Sequence, residues 1–172
     1  MMYRNHLWTG ELVGNMSTYR NMTIRKALEG GYDYLLSVDT DLVLEPHTLE
    51  YLIKADKDCV AGLFWTNGWS NAWMYDQVGG YDPKWYEPGL YKVGMSGALI
   101  LISRKVLEAG VDYTPIPVIK KALFGEDRHF CIRAVCAGFQ IWGDSHCLPV
   151  HLYKEKDYEK YMAGEMKPCF RK

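Results

Sequence analysis

The stretch Tyr32-Asp33-Tyr34-Leu35-Leu36-Ser37-Val38-Asp39-Thr40-Asp41 is an aromatic and aliphatic run that ends abruptly in two carboxylates. Tyr34, Leu35, Leu36 and Val38 leave no alternating polar face, which predicts a short strand, Tyr32 to Val38, buried on both sides. Asp39 and Asp41 then stand at its C-terminal end, where ligands collect in open α/β sheets. Upstream, Glu11 to Glu29 has Ser17, Thr18, Arg20, Arg25 and Lys26 on polar positions and Met22, Ile24, Ala27 and Leu28 on apolar ones, and it runs into Gly30-Gly31. That pattern predicts a helix stopped by glycine. Downstream, Pro46 opens a helix with Leu49, Leu52 and Ile53 on one face, and Cys59 to Phe64 reads as a second buried strand. Helix, strand, helix, strand predicts an α/β sheet with parallel neighbours.

Further along, Gly94 to Ile102 reads as a strand, with Ser103 as N-cap of a helix Arg104 to Ala109 that Gly110 stops. After Pro115 and Pro117, a helix is expected over Glu126 to Ala137, closed by Gly138. A strand, Phe139 to Gly143, an edge segment around Cys147 to His151 and a surface helix from Lys154 complete the reading. Trp65 to Tyr91 has no steady period and holds four of the six Trp. Trp65, Trp69 and Trp73 fall at i, i+4, i+8, a spacing that suits one stripe of a helix, although Asn67, Gly68 and Asn71 disfavour it. A connection this long tends to be a binding loop or lid. Its rings either line an acceptor pocket and stack on a sugar, or pack the loop onto the domain or a second copy.

The 172 residues suffice for a single domain, 1–172, with its own core. With 48% apolar and 24% charged residues the chain is of globular composition, and disorder and low-complexity classes are excluded. A net charge of -1 supplies no basic field for nucleic acid or an anionic membrane. No window approaches 18 consecutive apolar residues, so no membrane span is expected. The five Cys are odd in number and no secretory start precedes them, so reduced thiols and a cytoplasmic location are expected.

Three features carry chemistry. Asp39-Thr40-Asp41 offers two hard oxygen donors that suit Mg²⁺ or Mn²⁺ and, through the cation, a diphosphate; acids after a strand also serve simply to solvate a turn. Glu126-Asp127 opens a helix, where a carboxylate can act as general base toward a hydroxyl or merely complement the helix dipole. The dipole predicts that Asp127 stays ionised at neutral pH. His151, after Leu148-Pro149-Val150, is a candidate third ligand or an ordinary hydrogen-bonded histidine. A rival zinc reading joins His129, Cys131, Cys136, His146, Cys147 and His151, but Cys131 and Cys136 lie about 140° apart on a helix and point in different directions.

Taken in order, these motifs resemble glycosyltransferase family 2 and related GT-A fold enzymes. The run Tyr32 to Pro46 resembles the family's D-x-D strand, and Tyr19-Arg20-Asn21 with Arg25 its Arg-Asn segment. Gly97-Ala98-Leu99-Ile100-Leu101-Ile102-Ser103-Arg104 resembles the strand beside the donor sugar, Gly125 to Ala134 the E-D helix, and Val150-His151-Leu152 the closing metal-ligand histidine. The resemblance covers about residues 15 to 153. It implies a GT-A, Rossmann-like mixed sheet flanked by helices, and a metal-dependent enzyme that moves a sugar from a nucleotide-diphosphate donor, a UDP-sugar favoured, to a carbohydrate or other hydroxyl acceptor with inversion. Asp39 would face the ribose and the metal shell, Gly97 would lie beside the donor, and Asp41 and His151 would hold Mn²⁺ or Mg²⁺. Asp127 would be the general base, with Glu126 orienting acceptor or base. Such enzymes open with a strand-helix unit that holds the nucleotide base, and only about ten residues precede the first helix here. The chain is therefore expected to lack that unit, or to receive it from another chain or a compact variant. The alternative function is a truncated, inactive module that binds a glycan or a partner. Donor sugar, acceptor and oligomeric state are not written in the sequence.

Overall fold

A computed structural model describes residues 9–66, 69–73, 87–119, 125–146 and 148–166. Helix α1, Gly10–Glu29, starts where the Thr9 side chain accepts the Leu12 N–H, and it ends at Gly30. Its inward stripe is Val13, Ser17, Arg20, Ile24 and Ala27, whereas Met22, expected on the apolar face, is exposed. After α1 come β1 (Tyr34–Val38), β2 (Leu42–Val43), α2 (Thr48–Lys54) and β3 (Cys59–Gly62). Short strands β4 (Trp65–Thr66), β5 (Trp69–Ser70) and β6 (Ala72–Trp73) follow, then β7 (Leu90–Val93) and β8 (Met95–Ser96). The remaining elements are β9 (Leu99–Ser103), α3 (Arg104–Glu108), α4 (Glu126–Cys136), β10 (Ile141–Asp144), β11 (Val150–His151) and α5 (Glu155–Met162).

The main sheet has the order β1-β9-β3-β10-β7. β3 and β10 are parallel, while β9 runs antiparallel to both β1 and β3. The expected parallel pairing of β1 with β3 is thus corrected, because β9 comes between them. β1 lies at an edge of this sheet and is half-exposed, not buried on both faces. The strands sealed on both sides are β3 and β9. Along β9 the alternation of a pleated strand sends Ile100 and Ile102 to one core and Leu99 and Leu101 to the other. The larger core lies under α1, α3 and α4; the smaller is closed by Leu52 of α2, while Leu49 and Ile53, expected beside it, are exposed.

Trp65 and Thr66 pair antiparallel with Ser70 and Trp69, so the helical aromatic stripe is not formed. Tyr75, Tyr81, Trp85, Tyr86 and Cys147 lie outside the described residues. α5 has no buried residue and lies on the surface as expected. Among the described residues no helix is long and apolar enough to cross a membrane.

Candidate active site

At the end of β1 the chain is pinned by the Asp39 N–H donating to the Ala98 carbonyl at 2.7 Å. Ala98 has φ +68, a left-handed conformation that costs a residue with a Cβ on the order of 1–2 kcal/mol. This strained residue interrupts what the sequence suggested was one strand, Gly94 to Ile102, and separates β8 from β9. β2 then pairs with β11, with Leu42 opposite His151, and the Leu152 N–H donates to the Asp41 carbonyl at 2.8 Å. A two-residue ladder therefore holds His151 against Asp41 across the chain. Gly125, at φ +152, turns the backbone into α4 in a conformation suited to glycine, and the first turn presents Glu126 and Asp127.

These elements enclose a cleft of about 410 Å³. Asp39, Asp41, Gly97, Asp127 and His151 all line it, together with Phe64, Asn71, Trp73, Met95, Ala98 and Tyr153. Of the site residues expected from sequence, only Glu126 is missing from the cleft. It is fully buried and accepts from Arg20 Nε at 3.1 Å.

Arg20 organises the rear wall. Its guanidinium donates to Glu126, to Ser37 Oγ and to Asp39 Oδ1, and lies 3.8 Å from Asp127 Oδ1. Burial works against its charge, but Asp127, Tyr113, Asp39 and Glu126 together outweigh burial and raise its pKa. The signal for this role was present in the sequence: Arg20 falls on the same helical stripe as Val13, Ile24 and Ala27. A charge on an apolar stripe needs a buried partner. Asn71 also escaped sequence reading; its amide donates to the Gly62 and Gly97 carbonyls and its oxygen accepts the Phe64 N–H.

The Asp127 carboxyl is pushed up to about 7 by burial, against the pull of Arg20, with the carboxylates of Glu126 and Asp39 adding to the rise. The helix dipole is outweighed, and the expectation of a fully ionised Asp127 at neutral pH is corrected. Gly97 makes the position sterically available, since a Cβ there would fall 1.9 Å from Asp127 Oδ2.

On the opposite wall His151 Nε2 lies 3.1 Å from Asp41 Oδ2, and its Nδ1 contacts the Thr66 hydroxyl. Two ligands about 2.1 Å from one cation and at right angles to each other stand about 3.0 Å apart, so this pair has the spacing of adjacent ligands. Without a cation the Nε2–H donates to the Asp41 carboxylate and Nδ1 accepts from the Thr66 hydroxyl; a cation at this pair would take the place of the Nε2 proton. Asp39 is turned to Arg20, and among the described residues no three His, Cys, Asp or Glu form one ligand group. A cation at Asp41 and His151 would draw its other ligands from phosphate oxygens and water. Among the described residues the zinc ligands do not converge: Cys131 is buried and donates to the Ser96 carbonyl, Cys136 is exposed, His129 accepts from the Ile116 N–H and His146 pairs with Asp144.

No protein-family model matches the sequence, and no curated protein is similar to it. Among solved structures, A197 from STIV superposes with a TM-score of 0.53 at 20% identity, covering 79% of this chain and 66% of that one. A nucleoside-diphosphate-sugar pyrophosphorylase from Vibrio cholerae RC9 gives a TM-score of 0.49 at 14% identity, covering 86% of this chain and 64% of that one. The chain spans just under two thirds of the length of each. The likeness to A197 is one of fold: an α/β chain with a five-strand mixed sheet flanked by helices.

Proposed function

We propose that this chain is a metal-dependent glycosyltransferase resembling family 2 of the GT-A type, acting on a nucleotide-diphosphate sugar, a UDP-sugar by preference. The observation that carries this reading is one cleft lined by both the Asp127 carboxyl and the Asp41–His151 pair. Asp41 and His151 would hold Mn²⁺ or Mg²⁺, with Asp39 beside them toward the nucleotide. When bound, the cation supplies Lewis-acid stabilisation of charge on the departing diphosphate.

The rest of the chemistry belongs to the chain. Asp127, partly ionised at pH 7, takes the proton of the attacking acceptor hydroxyl, the task for which a base with pKa near the working pH is best suited. The acceptor oxygen bonds to the anomeric carbon as the bond to the diphosphate breaks, and the nucleoside diphosphate leaves with that electron pair. A base and a leaving group on opposite sides of the sugar give inversion. Arg20 holds Asp39 and Asp127 in fixed relation, and Glu126 fixes Arg20 from behind. Gly97 leaves the space that Asp127 fills.

Isothermal titration with Mn²⁺ and UDP, wild type against Asp41→Ala, tests the donor side; binding lost in the variant is expected, and equal binding by both proteins sinks the assignment. Sugar transfer lost in Asp127→Asn with UDP binding retained is the matching expectation for the base. A wild-type chain that turns over no donor yet binds glycans is instead the inactive binding module.

A further inference from the structure

Arg128 is the second residue after Glu126 in α4, and it is 6% exposed. Arg20, Arg104 and Arg133 each donate to carboxylates or carbonyls. Arg128 donates to none among the described residues. Its contact is instead with the Trp73 ring, whose centroid lies 3.7 Å from the guanidinium carbon. A guanidinium stacked this way keeps its N–H groups around the rim of the stack, free to meet a planar or tetrahedral oxyanion. None of its nitrogens is among the polar atoms sealed from solvent without a partner. The Trp73 ring is itself held by Nε1 donating to the Ser70 carbonyl at 3.3 Å, and Trp73 lines the cleft beside Met95 and Asp127. Burial lowers the Arg128 pKa to about 10, which leaves it cationic at neutral pH.

The Arg128 N–H groups, open to solvent and with no protein acceptor among the described residues, are donors that an oxyanion can take over from water. Among the described residues the cleft lining carries Asp39, Asp41 and Asp127 and no Lys or Arg. Asp39 and Asp41 repel a bare anion, so a diphosphate there needs its cation, whereas Arg128 follows Asp127 directly in α4 and brings its positive charge to the cleft through the Trp73 ring it covers. We infer that Arg128 and Trp73 form an acceptor subsite for a sugar bearing an oxyanion, a carboxylate or a phosphate, with the sugar ring against the indole. This inference rests on the acceptor side of the function proposed above.

Isothermal titration with methyl glucuronide, glucose 6-phosphate and methyl glucoside tests it without requiring turnover. At least one charged sugar is expected to bind about tenfold or more tightly than the neutral glucoside. Arg128→Gln should abolish that preference and leave glucoside binding unchanged. Arg128→Lys, which keeps the charge but not the fork, should retain part of it and covers the case where the Gln variant melts early. Equal or undetectable binding of charged and neutral sugars by the wild type overturns the inference. So does a loss in Arg128→Gln of UDP and Mn²⁺ binding alone, which assigns the guanidinium to the donor diphosphate. A charged-sugar preference in a chain that never transfers sugar leaves this subsite standing and removes the transferase reading.

Discussion

Asp127 sits where burial and three neighbouring charges compete for its proton. Its pKa rises from 3.8 to about 7, so the folded chain binds that proton more tightly than the unfolded chain does. The stability linked to it is present in full below pH 4 and is lost as the pH rises through 7. Asp127→Asn should remove this slope and be the more stable protein at pH 8, which urea denaturation at pH 5, 6, 7 and 8 will measure. Gly97 acts at the same scale. Gly97→Ala places a methyl group where Asp127 Oδ2 now lies, so the carboxyl must move and transfer should fall by about a hundredfold. Steady-state kinetics on a variant that still melts cooperatively will check that. The sequence made Asp127 visible as an acid in a first helical turn beside Glu126, but its proton affinity depends on burial and on Arg20 and Asp39, which come from other elements.

At the scale of elements, α1 and α4 are joined by the Arg20–Glu126 contact across the rear of the cleft. Arg20→Met leaves Glu126 buried without its cation, a loss of about 3–5 kcal/mol. Adding Glu126→Leu should restore most of that stability without restoring transfer, because Asp39 and Asp127 stay unanchored; a double-mutant cycle in urea reads the coupling directly. β8 and β9 meet at the strained Ala98, and Ala98→Gly should raise stability by up to about 1 kcal/mol in thermal melts. Helices α1, α3 and α4 were legible because their glycine stops and periodicity are local. β1 was misjudged as doubly buried because a run such as Tyr34-Leu35-Leu36 looks the same at an edge as in the middle of a sheet. Burial belongs to the neighbours that a strand acquires, and those of β1 come from β9 alone within the sheet.

For the whole molecule, the cleft draws Asp39 and Asp41 from the end of β1, Gly97 from the β8–β9 break, Asp127 from α4 and His151 from β11. Ligand binding at such a junction stabilises all of these elements together. Mn²⁺ and UDP at a hundredfold excess over Kd should add about 2.7 kcal/mol to unfolding. His151→Ala should lose that gain, and thermal shift with and without the ligands will show it. The sequence by itself determined the helices, the strand segments at the level of their approximate position, the α/β class and the identity of the acids and histidine, because capping, periodicity and residue chemistry act over a few neighbouring positions. Only the tertiary structure decided that β9 separates β1 from β3, that Arg20 ties Asp39 to Glu126, and that Asp127 holds its proton to about 7. Strand order and proton affinity arise from burial and from charges brought together across the chain, and no local pattern encodes either.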